Sequence, residues 1–339
     1  MTANEFSLPD GFSLRPAEMA DAMAVISVIN TAGLKYTGSP EYDQETLLSH
    51  WQNPKLDLAY STRVICAADG RIVAYADISD GIVPVQPYLF GRVHPDYENR
   101  GLGSALLDWG EQRARDVFTR LPEDVQVSLL TSTVDSNQAA QELMCSRGMT
   151  HTHDFWNMNV SFTAEPAPPD WPPGITVTTF AQHPDLTALA EAHDNAFQDH
   201  WGYVRQPLAD RLTRWQDNIA SDPTHDPTLW FLAMDEDTLA GYCLCRSRAY
   251  DDAEMGYVKI LGVTRPYRQR GLGLALLQHS FRQLYQRGQK GVSLGVDADS
   301  LTGATRLYEK AGMTVHRRYL EFSKLLRPGR DITTQSAAT

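Results

Sequence analysis

Two stretches of this chain repeat one another. Gly91–Asp116 reads GRVHPDYENRGLGSALLDWGEQRARD, and Leu261–Gly288 reads LGVTRPYRQRGLGLALLQHSFRQLYQRG. Gly101 and Gly271 stand 170 positions apart, and so do Val93 and Val263. Further on, the SRGM ending at Met149 answers the EKAGM ending at Met313, 164 positions later. Three ordered matches at nearly one offset are what a duplication with a small deletion leaves behind. At 339 residues the chain is long enough for two domains of ordinary size. A Pro-rich segment, AEPAPPDWPPG (Ala164–Gly174), lies between the copies, and proline there blocks helix and central strand alike. The chain is therefore read as a domain over 1–165, a second over 166–328, and a tail over 329–339 with no apolar periodicity.

The periodicity of each copy gives the same succession of elements. In the second, Gly174–Phe180 reads as a strand, and Pro184–Gln198 and Gln206–Ile219 read as amphipathic helices. Leu229–Tyr250 reads as a hairpin turning through Asp235–Thr238, and Gly256–Val263 as a further strand. The helix opening on GLG follows, then a strand at Gly291–Ala298, a helix at Ala304–Gly312, and a last strand or strand pair at Thr314–Leu326. The first copy runs in parallel and ends on the strand Phe155–Phe162. Strand, two helices, hairpin, strand, helix, strand, helix, strand describes an α+β fold. Each domain is a mostly antiparallel mixed sheet flanked by helices, with one crossover at the glycine motif.

Composition narrows the function. Lys and Arg number 30 against 42 Asp and Glu, a net charge of −12, and such a field repels phosphate backbones, which argues against nucleic acid as a partner. No run of about 18 apolar residues exists to span a bilayer, and the first residues carry neither a basic nor an apolar leader region. Cys66, Cys145, Cys243 and Cys245 form no CxxC pair and no metal-ligand spacing. Cys243 and Cys245, two apart in an apolar run, read as buried small apolar residues, and reduced thiols fit a cytoplasmic protein; no metal is expected. His151, His153 and Asp154 alternate along one strand, but no fourth ligand accompanies them.

The sharpest chemical signal is Arg268-Gln269-Arg270-Gly271-Leu272-Gly273, between a strand and a helix start. The first amides of a helix lack internal partners, and the helix dipole adds positive character, so such a turn can hold a phosphate. Gly271 and Gly273 spare the approach any Cβ, and Arg268 and Arg270 offer charged donors. This turn resembles the Gln/Arg-x-x-Gly-x-Gly/Ala signature of the GNAT superfamily of acyl-CoA-dependent N-acetyltransferases. Val296–Met313, VDADSLTGATRLYEKAGM, resembles the superfamily's second signature. One copy falls in each half, so the chain resembles tandem GNAT proteins over nearly its whole length.

The resemblance implies an acetyl group moved from acetyl-CoA to an amine of a small molecule. Leu261, Gly262 and Val263 would pair with the pantetheine arm, and the amides of Arg268–Gly273 would hold the pyrophosphate. Tyr308 would protonate the departing thiolate, as a phenol with a pKa near 10 can. The amine needs a base, for which Glu254 and Tyr257 stand closest to the strand. Asp199, His200 and Trp201, between the first two helices, would line the acceptor site. In the first copy Val93, Arg100, Gly101 and Gly103 match the cofactor positions, but Glu98 replaces the leading basic residue and Met144 the tyrosine. A thioether donates no proton, so the first domain is expected to be degenerate and the second to be the enzyme. The alternative is a non-catalytic acyl-CoA-binding or regulatory protein.

Overall fold

The computed structural model describes residues 8–53, 56–81, 83–200, 202–222, 224–300 and 303–333. They form two compact units. The first contains the described residues up to Asp154 together with Tyr319–Ile332; the second is Phe155–Arg318.

In the first unit the order is β1 (Phe12–Arg15), α1 (Ala22–Thr37), α2 (Gln44–Trp51), the short α3 (Leu58–Ser61), β2 (Thr62–Ala67), β3 (Ile72–Ser79) and β4 (Tyr88–Val93). Then come α4 (Leu102–Arg115), β5 (Val127–Val134), α5 (Gln138–Ser146) and β6 (Thr150–Ser161), which leaves this unit after Asp154. β1 to β4 pair antiparallel in chain order, while β4 and β5 pair in parallel across the α4 crossover. Helices cover both faces. Ala74, Ala76, Ile78 and Leu89 meet Leu102, Leu106 and Trp109 of α4. Tyr75 and Val64 meet Val25 and Ile29 of α1 and Leu47 and Trp51 of α2. A sheet buried on both faces needs near-continuous apolar strands, which is how β3 reads.

The second unit repeats this order: β7 (Ile175–Thr179), α6 (Leu186–Phe197), α7 (Leu208–Ala220), β8 (Trp230–Asp235), β9 (Thr238–Arg246) and β10 (Met255–Val263). It continues with α8 (Leu272–Gln286), β11 (Gly291–Asp297), α9 (Ala304–Lys310) and β12 (Thr314–Arg327), which leaves this unit after Arg318. Leu272, Leu276, Phe281 and Leu284 of α8 pack on Cys243, Cys245, Val258 and Leu294. Leu189 of α6 and Trp215 of α7 pack on Leu232, Tyr242 and Leu244 of the other face. The Sγ atoms of Cys243 and Cys245 lie 3.7 Å apart in this core, buried thiols as expected.

The last strands differ from the sequence reading. β5 pairs antiparallel with Tyr319–Arg327 of β12, from Tyr319↔Val134 to Arg327↔Val127. β11 pairs with Phe155–Ser161 of β6, from Asp297↔Phe155 to Gly291↔Ser161. Each unit thus takes a strand from beyond the division at 165/166. The reason is local: a run folds back as a hairpin where Gly, Pro or Asn-Gly marks a turn, and neither β6 (THTHDFWNMNVS) nor β12 (TVHRRYLEFSKLLR) has such a turn at its middle. Both run on as single strands of 12 and 14 residues.

Candidate functional site

The site of the second unit begins where two parallel strands part. β10 and β11 pair from Met255↔Gly291 to Val258↔Leu294. Beyond Val258 the register of β10 slips, and it continues to Val263 paired with β9 alone, through Leu261↔Cys243, Gly262↔Tyr242 and Val263↔Gly241. The edge of Ile260–Val263 that faces β11 therefore keeps unpaired backbone groups, which an extended amide-bearing ligand can satisfy as an added strand. Gly262 is needed here for packing: a Cβ on it would stand 2.5 Å from the ring of the fully buried Tyr242.

The turn follows directly. Gln269 (φ 61°) and Gly271 (φ 83°) are both left-handed, and α8 starts at Leu272. Among the described residues, the N–H groups of Gln269 to Gly273 have no protein acceptor, whereas that of Arg268 bonds to the carbonyl of Arg265 at 3.3 Å. The cradle of free donors is thus one residue shorter than the motif suggested. Space beside Gly271 is open, while a Cβ on Gly273 would lie 3.2 Å from Leu307, so Gly273 serves the packing of α8 on α9. Arg270 is exposed over the ring of Tyr267, and a groove of about 720 Å³ beside the turn is walled by Trp171, Pro173, Tyr267, Arg270 and Lys310.

The side chain of Arg268 turns away from this cradle. Its Nη1 lies 2.8 Å from Asp199, its Nη2 donates to the Ala196 carbonyl at 2.8 Å, and its Nε to that of Val263 at 3.4 Å. Arg265 also binds Asp199, by Nε at 3.1 Å and by Nη2. Asp199 is almost wholly buried between the two guanidiniums, and the bond from Arg265, then that from Arg268, holds its carboxyl down at about 2. The resemblance implied that Asp199 lines the acceptor site; here its carboxylate is taken up by Arg265 and Arg268. The His200 ring lies tilted against Phe197 with centroids 4.3 Å apart, and burial first, then Arg268, lowers its pKa. Trp201 lies outside the described residues.

Tyr308 sits in the core of the second unit with Cys243, Val258, Leu272 and Leu294. Burial raises its pKa above that of a free phenol, which keeps it protonated. Glu254 lies at the far end of β10, exposed and paired with Lys290. Tyr257 is pushed up to about 12, chiefly by burial, so it holds its proton at neutral pH. Neither offers a ready base.

The first unit repeats the geometry. β4 pairs with β5 only at Tyr88↔Leu130 and Leu89↔Thr131, then parts from it. Asn99 (φ 58°) and Gly101 (φ 80°) copy the left-handed pair of the second turn. A cavity of about 380 Å³ runs from this turn between the strands, lined by Val93, Gly101, Gly103, Thr131, Asn137 and Met144 among others. Arg100 lies over Tyr97 and donates to the Asp96 carbonyl at 3.0 Å. Glu98 is not a bare charge: Lys35 binds it at 2.5 Å and the Tyr36 hydroxyl donates to it at 2.8 Å. Lys35 escaped the sequence reading. Counting from the helix N-caps Asp21 and Asp185 would have found it, because Lys35 and Asp199 fall at the same distance from them.

Among the described residues no three His, Cys, Asp or Glu gather to hold a metal, and no helix is long and apolar enough to cross a membrane.

The acetyltransferase (GNAT) family model matches residues 30–149 and 187–313. A mycothiol acetyltransferase of Catenulispora acidiphila is 28% identical over 304 residues, covering 88% of each chain. Another, from Thermobispora bispora, is 32% identical over 229 residues, or 66% of this chain and 70% of that one. A crystal structure of a GCN5-related N-acetyltransferase from Sphaerobacter thermophilus superposes with a TM-score of 0.81 at 36% identity, covering 96% of this chain and 99% of that one.

Proposed function

The chain belongs to the acetyltransferase (GNAT) family, and from that premise we propose that its second unit carries an acetyl group from acetyl-CoA to an amine of a small molecule. The observation that carries this reading is a succession along the chain. The unpaired edge Ile260–Val263 leads into the free amides of Gln269–Gly273, with Tyr308 packed against the strand that forms the edge. The pantetheine arm would pair along Leu261–Val263. The pyrophosphate would rest on the amides at the start of α8, where the helix dipole favours anions. Arg270 and Lys310 would face the remaining phosphate charge.

The acceptor amine, neutral when it reacts, attacks the thioester carbonyl. As the tetrahedral intermediate collapses, the C–S bond breaks, the Tyr308 phenol passes its proton to the sulfur, and the proton that the nitrogen gives up passes to water and restores the phenol. Burial raises its pKa, so it carries its proton at neutral pH. In this reading Glu254 stays at the surface, paired with Lys290. His200, with Trp201 next to it in the chain, would border the acceptor. The relatives named mycothiol acetyltransferases favour a small-molecule acceptor over a protein. The first unit would hold a CoA moiety on Val93 and the turn around Arg100, Gly101 and Gly103 without catalysis, because Met144 supplies no proton.

An acceptor screen that follows thiol release from acetyl-CoA tests the activity, and Tyr308→Phe tests the mechanism. The variant should bind acetyl-CoA nearly as well as wild type while turnover falls about 10²–10⁴-fold, the usual worth of general acid catalysis. Unchanged turnover, with chemistry rate-limiting, would remove the phenol from the reaction.

A further inference from the structure

The leading residue of the glycine turn has opposite charge in the two units, yet it makes the same connection. In the second unit Arg268 joins Asp199, two residues past the end of α6, and the Ala196 carbonyl within its last turn. In the first, Glu98 joins Lys35 and Tyr36 in the last turn of α1. All three nitrogens of the Arg268 guanidinium already have protein acceptors. The N–H of Arg265, where the turn begins, is held by the Asn195 side chain at 2.8 Å, again at the end of α6.

We propose that Arg268 is a positioning residue, not a phosphate ligand: with Asp199 it ties the cofactor turn to the C-terminal end of α6, and either sign of charge serves if its partner is opposite. A phosphate ligand would have to be cationic in both units, and a loose surface charge would have no fixed partner in either. The pair sets the amides of Gln269–Gly273 in place before any ligand arrives, so its loss should be felt as weaker cofactor binding with the chemical step intact. This inference rests on the reading of the second unit as the acetyl-CoA-binding one.

The test is a charge exchange in the full chain, in an Arg265→Gln background so that no guanidinium is left to repel the new lysine. Arg268→Glu alone should raise the acetyl-CoA KM about 10-fold or more while kcat at saturation stays within about 2-fold. Adding Asp199→Lys should return KM to within about 3-fold of the background, and should also recover the melting temperature lost by Arg268→Glu. If the exchanged pair recovers the melting temperature but binds acetyl-CoA as poorly as Arg268→Glu alone, the positive charge itself holds phosphate and the proposal is overturned. If it recovers neither, the tether is overturned as well. If the Arg265→Gln background already binds no acetyl-CoA while wild type does, Arg265 is the essential anchor and the role given to Arg268 is wrong. Should wild type bind none, the cofactor reading fails, and the recovery of melting temperature still decides whether the two charges form a tether.

Discussion

His193 shows how much chemistry one side chain of the core can conceal. Its Nδ1 lies 2.8 Å from the Tyr242 hydroxyl, and its ring stacks on Phe197 with centroids 4.4 Å apart. Burial first, then the nearby arginine Arg214, lowers its pKa from 6.5 to about 4. The unfolded chain therefore binds a proton between those values that the folded chain refuses. Above pH 6.5 the residue contributes nothing to pH dependence; as pH falls from 6.5 towards 4 it costs stability, by about 1.4 kcal/mol per unit. His193→Gln keeps an acceptor for Tyr242 without titrating, so urea denaturation of this variant should lose less stability than wild type across that interval. Parallel pH profiles would show that His193 is solvated in the native state. None of this was legible in the sequence. Position 193 read as one polar residue on an amphipathic helix, and its meeting with Tyr242 depends on how α6 seats on β9. Gly262 is similar: the motif marked it as a cofactor position, but its need to lie flat under Tyr242 follows from the β9–β10 register.

At the scale of the element, the turn before α8 was the most readable feature, because its strand, glycines and helix start are adjacent in the chain. Its backbone is left-handed at Gln269 and Gly271, and the amides that open α8 have no protein acceptor among the described residues. What could not be read was the use of Arg268, which depends on where a helix ending some 70 residues earlier comes to rest. Gly271 gives a direct test. A side chain there would meet no protein atom, but it would have to adopt φ of 83° and would enter the space beside the amides. Gly271→Glu should therefore cost little in packing, about 1 kcal/mol or more in backbone strain, and most of the acetyl-CoA affinity. Calorimetry that finds wild-type affinity would take this turn out of the binding site. The same strain argument applies to Gln269, which holds a left-handed conformation without being glycine.

For the molecule as a whole, duplication, element order and the parallel crossover were all written in the repeat, and the exchange of end strands was not. Periodicity says that Thr314–Leu326 is a strand, but strand pairing over 185 to 200 positions leaves no local mark. The consequence for dissection is plain. Residues 1–165 lack Tyr319–Arg327, so β5 would keep an open edge, and this fragment should aggregate or melt without cooperativity. Residues 1–154 joined by a flexible linker to 319–333 should melt cooperatively. A sharp, reversible transition for 1–165 alone would show that the exchanged strand is dispensable. Synthesis imposes the same requirement in time. At about 5–20 residues per second, roughly 10–40 seconds separate the making of β5 from the making of the strand that covers it. Through that interval the nascent first unit presents an unpaired edge to every other chain nearby. A stop codon just after Arg318 would leave the later-made unit with every one of its own strands and deprive the earlier-made one of its seal. The half of this protein that is made first is the last to be finished.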